Sequence, residues 1–206
     1  MKKCVILASM PVCASLYPYA QQADYLVAVD AGYKTAQEMH LMPHLLAGDF
    51  DSMPLPHTEI DTLVLPVQKD VTDTYFAAQK AVEHGCTQVM ILGGLGGRLD
   101  HTIANLHTLH FLAQQGVQAA MADENTYITM AMPHMPQSIA ARAGWYLSVF
   151  PADSSAEGVT LRGTVYPLTD ATLTNRFPLG VSNEFSGAKA DISVKNGALF
   201  IFLARK

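Results

Sequence analysis

The sequence has few of the features that mark secreted, membrane-spanning or nucleic-acid-binding proteins. Only three of its 206 residues are cysteine, and none lies in a CxxC pair. We therefore expect neither a disulfide framework nor a thiolate zinc site, and we expect a reducing, cytoplasmic compartment. No apolar run approaches the ~20 residues of a membrane span. Lysine and arginine number 13 against 18 acidic residues and form no basic stripe, which argues against nucleic acid as a partner.

Common short motifs of enzyme sites are also missing. There is no GxGxxG dinucleotide fingerprint, no GxxxxGK phosphate loop and no GxSxG nucleophile elbow. His107 and His110 have helical spacing but lack an acidic third ligand nearby, so a zinc site there is not expected. If the protein is an enzyme, its chemistry must lie elsewhere in the sequence.

The first 122 residues alternate apolar runs with helical patterns. We predict strands at 4–9, 25–30, 44–49, 61–66, 88–94 and 117–122, with helices near 13–22, 32–41, 72–84 and 99–115. The first run also has the charge and apolar stretch of a signal peptide, although Pro11 cuts it short. Strands that alternate with helices predict a mostly parallel sheet covered on both faces.

The pattern changes near residue 124, after which we predict no helix. Short β-rich segments follow, at 126–132, 137–143, 145–152, 158–163, 164–169, 180–185, 190–197 and 198–204. The segment KNG at 195–197 lies between two such runs and predicts a two-residue hairpin. This half is expected to be an antiparallel sandwich or barrel. The predicted domains are therefore 1–122 and 123–206.

Aspartates follow the predicted strands of the first half. They are Asp30, Asp49, Asp51, Asp70, Asp73 and Asp100. A single aspartate at such a place is usually a turn former or a helix cap. In a parallel sheet, however, all the carboxyl ends of the strands meet at one edge, where ligands bind. Converging negative charge is neutralised by a hard cation such as Mg²⁺, which in turn binds phosphates.

A glycine-rich stretch, LGGLGGRLDHTIANLHTL at 92–109, leads from a strand into a helix. Glycines let backbone N–H groups approach an anion, and the helix N-terminus adds a favourable dipole. Arg98 could bind a phosphate through two hydrogen bonds. An ordinary glycine-rich turn with a surface arginine is the alternative.

These motifs, in this order, resemble the thiamine pyrophosphokinase (thiamine diphosphokinase) family. The resemblance rests on VDAG at 29–32, GDFDS at 48–52, DVTDT at 70–74, LGGLGGRLDH at 92–101 and SNEF at 182–185. It implies a mostly parallel, Rossmann-like α/β domain followed by an antiparallel β-sandwich, in a homodimer with the site at the interface. It also implies transfer of pyrophosphate from ATP to the hydroxyl of thiamine, with release of AMP.

The resemblance also implies roles for individual residues. Asp49, Asp51 and Asp73 would hold Mg²⁺ and, with Asp100, form the catalytic set. The residues expected to bind ATP or thiamine are Asp30, Asp70, Thr72, Gly96, Arg98, Ser182 and Asn183, the last two on the thiamine side. Residues 1–122 would bind ATP, and residues 123–206 would bind thiamine and dimerise. Residues 3–9 become a core strand, but ILASMPV replaces the family's usual glycine-rich turn after it.

Three other functions fit parts of the sequence. A related pyrophosphokinase for another small alcohol, such as a pterin, would keep the same aspartates. A nucleotide-binding regulator without catalysis would use the same scaffold, although binding alone does not need so many carboxylates. A nicotinamide-dependent oxidoreductase would share the alternating half, but the missing GxGxxG counts against it.

Overall fold

The computed structural model describes residues 1–50, 59–66 and 70–206. The chain divides into two compact units, Met1–Glu124 and Asn125–Lys206. The sequence places this boundary after residue 122.

The first unit contains a parallel sheet with helices between its strands. Its strands are β1 (Lys3–Leu7), β2 (Tyr25–Val29), β3 (Leu45–Gly48), β4 (Asp61–Val64), β5 (Gln88–Leu92) and β6 (Gln118–Ala122). They lie in the order β4-β3-β2-β1-β5-β6, and each neighbouring pair is parallel. All residues of β2 and β3 are buried, as expected for strands covered on both faces. The order reverses once, between β1 and β5.

Helices connect these strands. A short 3-10 turn at Ala14–Leu16 leads into α1 (Tyr17–Gln21), and α2 (Gly32–Glu38), α3 (Asp73–Glu83) and α4 (Leu99–Gln114) follow. The hydroxyl of Thr72 accepts a hydrogen bond of 3.2 Å from the backbone N–H of Tyr75 and caps α3. Gly85, with φ of 73°, follows the C-terminal end of α3. Within the described parts of the chain, no helix has the length and apolar character needed to cross a membrane.

The second unit contains two antiparallel sets of strands. The strands are β7 (Thr126–Ala131), β8 (Gln137–Ala140), β9 (Trp145–Pro151), β10 (Ser155–Arg162), β11 (Leu168–Thr174), β12 (Lys189–Ser193) and β13 (Leu199–Arg205). One set has the order β7-β13-β9 and the other the order β11-β10-β12-β8. Both sets contribute to one apolar core, for example Leu147 of β9, Leu161 of β10 and Ile201 of β13. The unit is an antiparallel sandwich.

The predicted hairpin at residues 195–197 is wrong. The strand before it, β12, pairs with β10 and β8, whereas the strand after it, β13, pairs with β7 and β9. The segment therefore carries the chain from one set of strands to the other. The N–H groups of Lys195 and Asn196 donate to the carbonyl of Glu157, at 3.0 and 3.1 Å.

Two other segments of the second half that we predicted as strands do not form continuous strands in the described structure. Residues 164–167 precede β11, which begins at Leu168, and residues 180–185 make only isolated bridges. Ser182 has a left-handed φ of 56°, which an extended strand does not accommodate. Separate backbone hydrogen bonds, for example between Asn183 and Leu147 and from Val165 to Glu184, and the side chain of Asn183 hold these two segments, and no continuous ladder forms.

Candidate active site

The aspartates that the sequence singles out follow the carboxyl ends of the parallel strands. Asp30 follows β2, Asp49 follows β3, and Asp100 lies in the first turn of the helix after β5. Asp73 opens α3, the helix after β4. Because these strands are parallel, all four residues belong to connections at one edge of the sheet. Asp51 lies outside the described residues.

Asp30 is held in place by the neighbouring strand. Its backbone N–H donates to the carbonyl of Ala47 at 3.1 Å, and its φ of 47° turns the chain sharply after β2. Its Oδ1 is buried. A Cβ added to Gly48 would lie only 1.9 Å from this oxygen, so the glycine leaves the space that the carboxylate fills. Gly48 and Asp30 therefore fit together at the edge of the sheet, next to Asp49.

The glycine of the VDAG motif has a different role. Gly32 begins α2, and a Cβ on it would lie 2.0 Å from the carbonyl oxygen of Leu7 at the end of β1. The helix therefore starts in contact with the backbone of the neighbouring strand, which only glycine permits.

The residues around α3 are unequally exposed. Asp49 and Asp73 are half-buried, and Asp70 is exposed. The hydroxyl of Thr72 caps α3. A contact between Thr72 and ATP therefore stays a prediction. Among the residues that the structure describes, no group of three or more histidine, cysteine or acidic side chains could hold a metal ion. The predicted metal set includes Asp51, which is not among them.

Three glycines of the glycine-rich loop have positive φ angles, which other residue types rarely adopt. Gly93, Gly96 and Gly97 have φ of 72°, 84° and 63°. The buried side-chain amide of Asn105 in α4 donates to the carbonyl of Gly94 at 2.8 Å and ties the loop to the helix. Asn105 was not among the predicted site residues. The signal that could have revealed it is a lone amide on the apolar face of α4.

Arg98 is paired with a residue in the first turn of α4. It immediately precedes α4, and its guanidinium bonds twice to the carboxylate of Asp100, at 3.2 and 2.6 Å. The two side chains are 72% and 64% exposed. The hydrogen bonds from Arg98 lower the pKa of Asp100, and the pKa of Arg98 is raised in turn. The sequence predicts both residues at the site but not their ion pair.

The two residues predicted on the thiamine side differ in their surroundings. Ser182 is exposed, and its backbone N–H donates to the hydroxyl of Ser148 at 2.9 Å. Asn183 is only 5% exposed. Its Oδ1 accepts from the N–H groups of Tyr166 and Glu184, at 3.0 and 2.9 Å, and its Nδ2 donates to the carbonyl of Tyr166 at 2.7 Å. In this unit Asn183 therefore holds residues 164–167 beside residues 182–185.

Each of the two units matches a protein-family model. The family model described as thiamin pyrophosphokinase, catalytic domain, matches residues 16–121, and the one described as thiamin pyrophosphokinase, vitamin B1 binding domain, matches residues 134–199. The thiamine pyrophosphokinase of Bacillus subtilis is 26% identical over 209 residues, which cover 98% of each chain. Thiamin pyrophosphokinase 1 of Caenorhabditis elegans is 33% identical over 102 residues, covering 43% of this chain and 40% of that protein.

Solved structures show the same likeness. The crystal structure of the Bacillus subtilis enzyme covers 100% of both chains with a TM-score of 0.89 and 25% identity. That of the thiamin pyrophosphokinase from Geobacillus thermodenitrificans covers 100% of this chain and 98% of its own, with a TM-score of 0.85 and 27% identity. The catalytic-domain match alone covers more than half of the 206 residues. The chain therefore belongs to the thiamin pyrophosphokinase family.

Proposed function

We propose that this enzyme transfers the pyrophosphoryl group of ATP to the hydroxyl of thiamine, giving thiamine diphosphate and AMP. The observation that carries the proposal is the placement of Asp30, Asp49, Asp73 and Asp100 at one edge of a parallel sheet, beside a glycine-rich loop and Arg98. Both units of the chain match family models for the corresponding activities.

The reaction needs little covalent chemistry from the protein. The thiamine hydroxyl oxygen forms a bond to the β-phosphorus of ATP, the bond from that phosphorus to the α,β-bridging oxygen breaks, and AMP leaves. The main requirements are in-line positioning of the two substrates and neutralisation of the triphosphate charge. Arg98 supplies positive charge and paired hydrogen-bond donors for a phosphate, and its fork geometry suits this role.

The proton of the thiamine hydroxyl must pass to a base, and we propose that a carboxylate of the site accepts it. Asp73 and Asp100 are the candidates from the sequence. The ion pair with Arg98 lowers the pKa of Asp100 and makes it a weaker proton acceptor. Asp73 is half-buried in the first turn of α3, and as a proposed ligand of Mg²⁺ it would also be a weaker proton acceptor, so both residues stand as candidates for this role.

Asp49, Asp51 and Asp73 are proposed to hold Mg²⁺. The fit rests on the type of donor: Asp49 and Asp73 offer carboxylate oxygens, which a hard cation prefers, and both belong to connections at the carboxyl edge of the sheet. When bound there, the ion would neutralise negative charge on the phosphates. Asp70 and Thr72, next to α3, and Gly96, in the glycine-rich loop, complete the proposed ATP-binding set with Asp30 and Arg98.

The remaining proposals concern the second unit and the assembly. We assign ATP binding to residues 1–122, with a Rossmann-like arrangement, and thiamine binding and dimerisation to residues 123–206. The family model for a vitamin B1 binding domain over 134–199 supports the thiamine assignment. Ser182 and Asn183 are the proposed residues on the thiamine side, in a cytoplasmic homodimer with the site at its interface.

The proposal is tested by thiamine-dependent release of AMP from Mg·ATP. We expect turnover with the wild-type protein and a loss of roughly a hundredfold or more in kcat for Asp49→Asn. Asp153→Asn is the matched control, because it makes the same change at an exposed carboxylate of the second unit. Release of AMP with a pterin alcohol but not with thiamine would show that the acceptor is a pterin alcohol and not thiamine. Binding of ATP without any turnover would support a regulator instead.

A further inference from the structure

The segment after β1 meets the glycine-rich loop after β5. The backbone N–H of Ala8 donates to the carbonyl of Leu92 at 2.8 Å, and that of Met10 donates to the carbonyl of Gly93 at 3.0 Å. These two strands are neighbours at the position where the strand order reverses. In open parallel sheets, the crevice beyond the carboxyl ends at such a position is where ligands bind.

The two segments approach each other most closely at Gly93, where the backbone leaves no room for a side chain. A Cβ on Gly93 would lie 2.4 Å from the carbonyl oxygen of Met10. A Cβ on Gly97 would lie 2.8 Å from the sulfur of Met10 and 3.4 Å from its terminal methyl carbon. The half-buried side chain of Met10 therefore packs directly on the backbone of the glycine-rich loop.

Met10 and Arg98 offer different chemistry next to Gly97. Arg98 is exposed at the start of α4, and its positive charge suits a phosphate. A thioether cannot neutralise a phosphate. It is polarizable and flexible, and it makes favourable contacts with aromatic rings.

We propose that Met10 contacts the nucleoside part of ATP, its base or ribose, and so determines how well the enzyme binds the nucleotide. The inference rests on the proposed function, which brings ATP to this crevice. Met10 lies in the segment ILASMPV, residues 6–12, which leads out of β1 and contains no glycine.

The test compares ATP with tripolyphosphate, which has the same phosphate chain without the nucleoside. Binding of Mg·ATP and of Mg·tripolyphosphate would be measured by isothermal titration calorimetry for the wild-type protein, Met10→Ala and Met10→Leu. We expect Met10→Ala to raise the Kd of ATP roughly fivefold to tenfold, as for loss of one to two methylene-sized contacts. The Kd of tripolyphosphate should stay within about twofold, and Met10→Leu, which conserves volume, should bind ATP nearly as well as the wild type.

Met42→Ala is the matched control, because this methionine is 77% exposed and should leave both Kd values unchanged. Equal weakening of ATP and tripolyphosphate by Met10→Ala would overturn the inference, since Met10 would then act by shaping the loop for phosphates. Unchanged binding of both ligands would also overturn it. Failure of the wild-type protein to bind ATP would instead overturn the proposed function.

Discussion

Arg98 and Asp100 are paired through two hydrogen bonds, from Nε to Oδ1 at 3.2 Å and from a terminal guanidinium nitrogen to Oδ2 at 2.6 Å. The pair lies where the glycine-rich loop enters α4. It holds the guanidinium in one orientation at the edge of the sheet that carries the aspartates. We interpret the pair as a means of aligning Arg98 for a phosphate before ATP binds.

The first prediction concerns the geometry of Arg98. Arg98→Lys keeps the charge but loses the planar fork, so we expect kcat/KM for ATP to fall about tenfold, and Arg98→Ala to lower it about a hundredfold. Steady-state kinetics with varied ATP would measure both effects. Arg162→Lys and Arg162→Ala, at an exposed position of β10, are the controls. Full activity of Arg98→Ala would exclude a phosphate contact.

The second prediction concerns the pKa of Asp100. Because hydrogen bonds from Arg98 lower this pKa in the folded state, the pair is fully formed above the ordinary carboxyl range. The contribution of the pair to the stability of the folded protein is lost as the pH falls through the lowered pKa of Asp100. NMR titration of the Asp100 carboxyl should give a higher pKa in Arg98→Gln than in the wild type. An unchanged pKa would show that the pair does not persist in solution.

The third prediction tests the contact between Gly48 and Asp30. Gly48→Ala would place a methyl group 1.9 Å from Oδ1 of Asp30 and must displace the carboxylate. We expect kcat/KM to fall on the order of a hundredfold, as for a small misplacement in an active site. Gly187→Ala is the control, because a Cβ there meets no atom within 4 Å. Unchanged activity of Gly48→Ala would show that the position of Asp30 does not matter.

The fourth prediction separates a structural from a ligand-binding role for Asn183. Asn183→Ala removes the partners of three backbone groups of Tyr166 and Glu184, so it should lower the free energy of unfolding by about 2–3 kcal/mol. Ser182→Gly, by contrast, relieves a left-handed φ of 56° and should not destabilise the protein. Denaturant unfolding would measure both. Wild-type stability of Asn183→Ala, with weakened thiamine binding, would favour a direct ligand contact.

The first unit could be predicted from the sequence because its signals are local. Continuous apolar runs such as Tyr25–Val29 are typical of strands buried on both faces, and all six predicted strands form. The helix predicted near 72–84 forms over Asp73–Glu83, between the capping Thr72 and Gly85, which are local signals in the sequence. The meeting of the aspartates at one edge could be predicted because parallel strands all end at the same edge of the sheet.

The errors in the second unit arise from contacts that sequence patterns do not contain. Asn196-Gly197 suits a tight turn, but no local pattern states whether the strands on either side share a sheet. Residues 180–185 have β-like composition, yet only isolated backbone bridges and the buried amide of Asn183 hold them, and no continuous ladder forms. The pairing of Arg98 with Asp100 and the packing of Met10 on Gly97 likewise depend on side-chain orientation.

Phosphorus NMR of the products tests the central claim most directly. The protein would be mixed with ATP, Mg²⁺ and thiamine, beside the same mixture without thiamine and one containing Asp51→Asn. We predict that AMP and thiamine diphosphate appear in equal amounts, only when thiamine is present, and far more slowly with the variant. Formation of ADP, or of AMP with free pyrophosphate in place of thiamine diphosphate, would contradict the account.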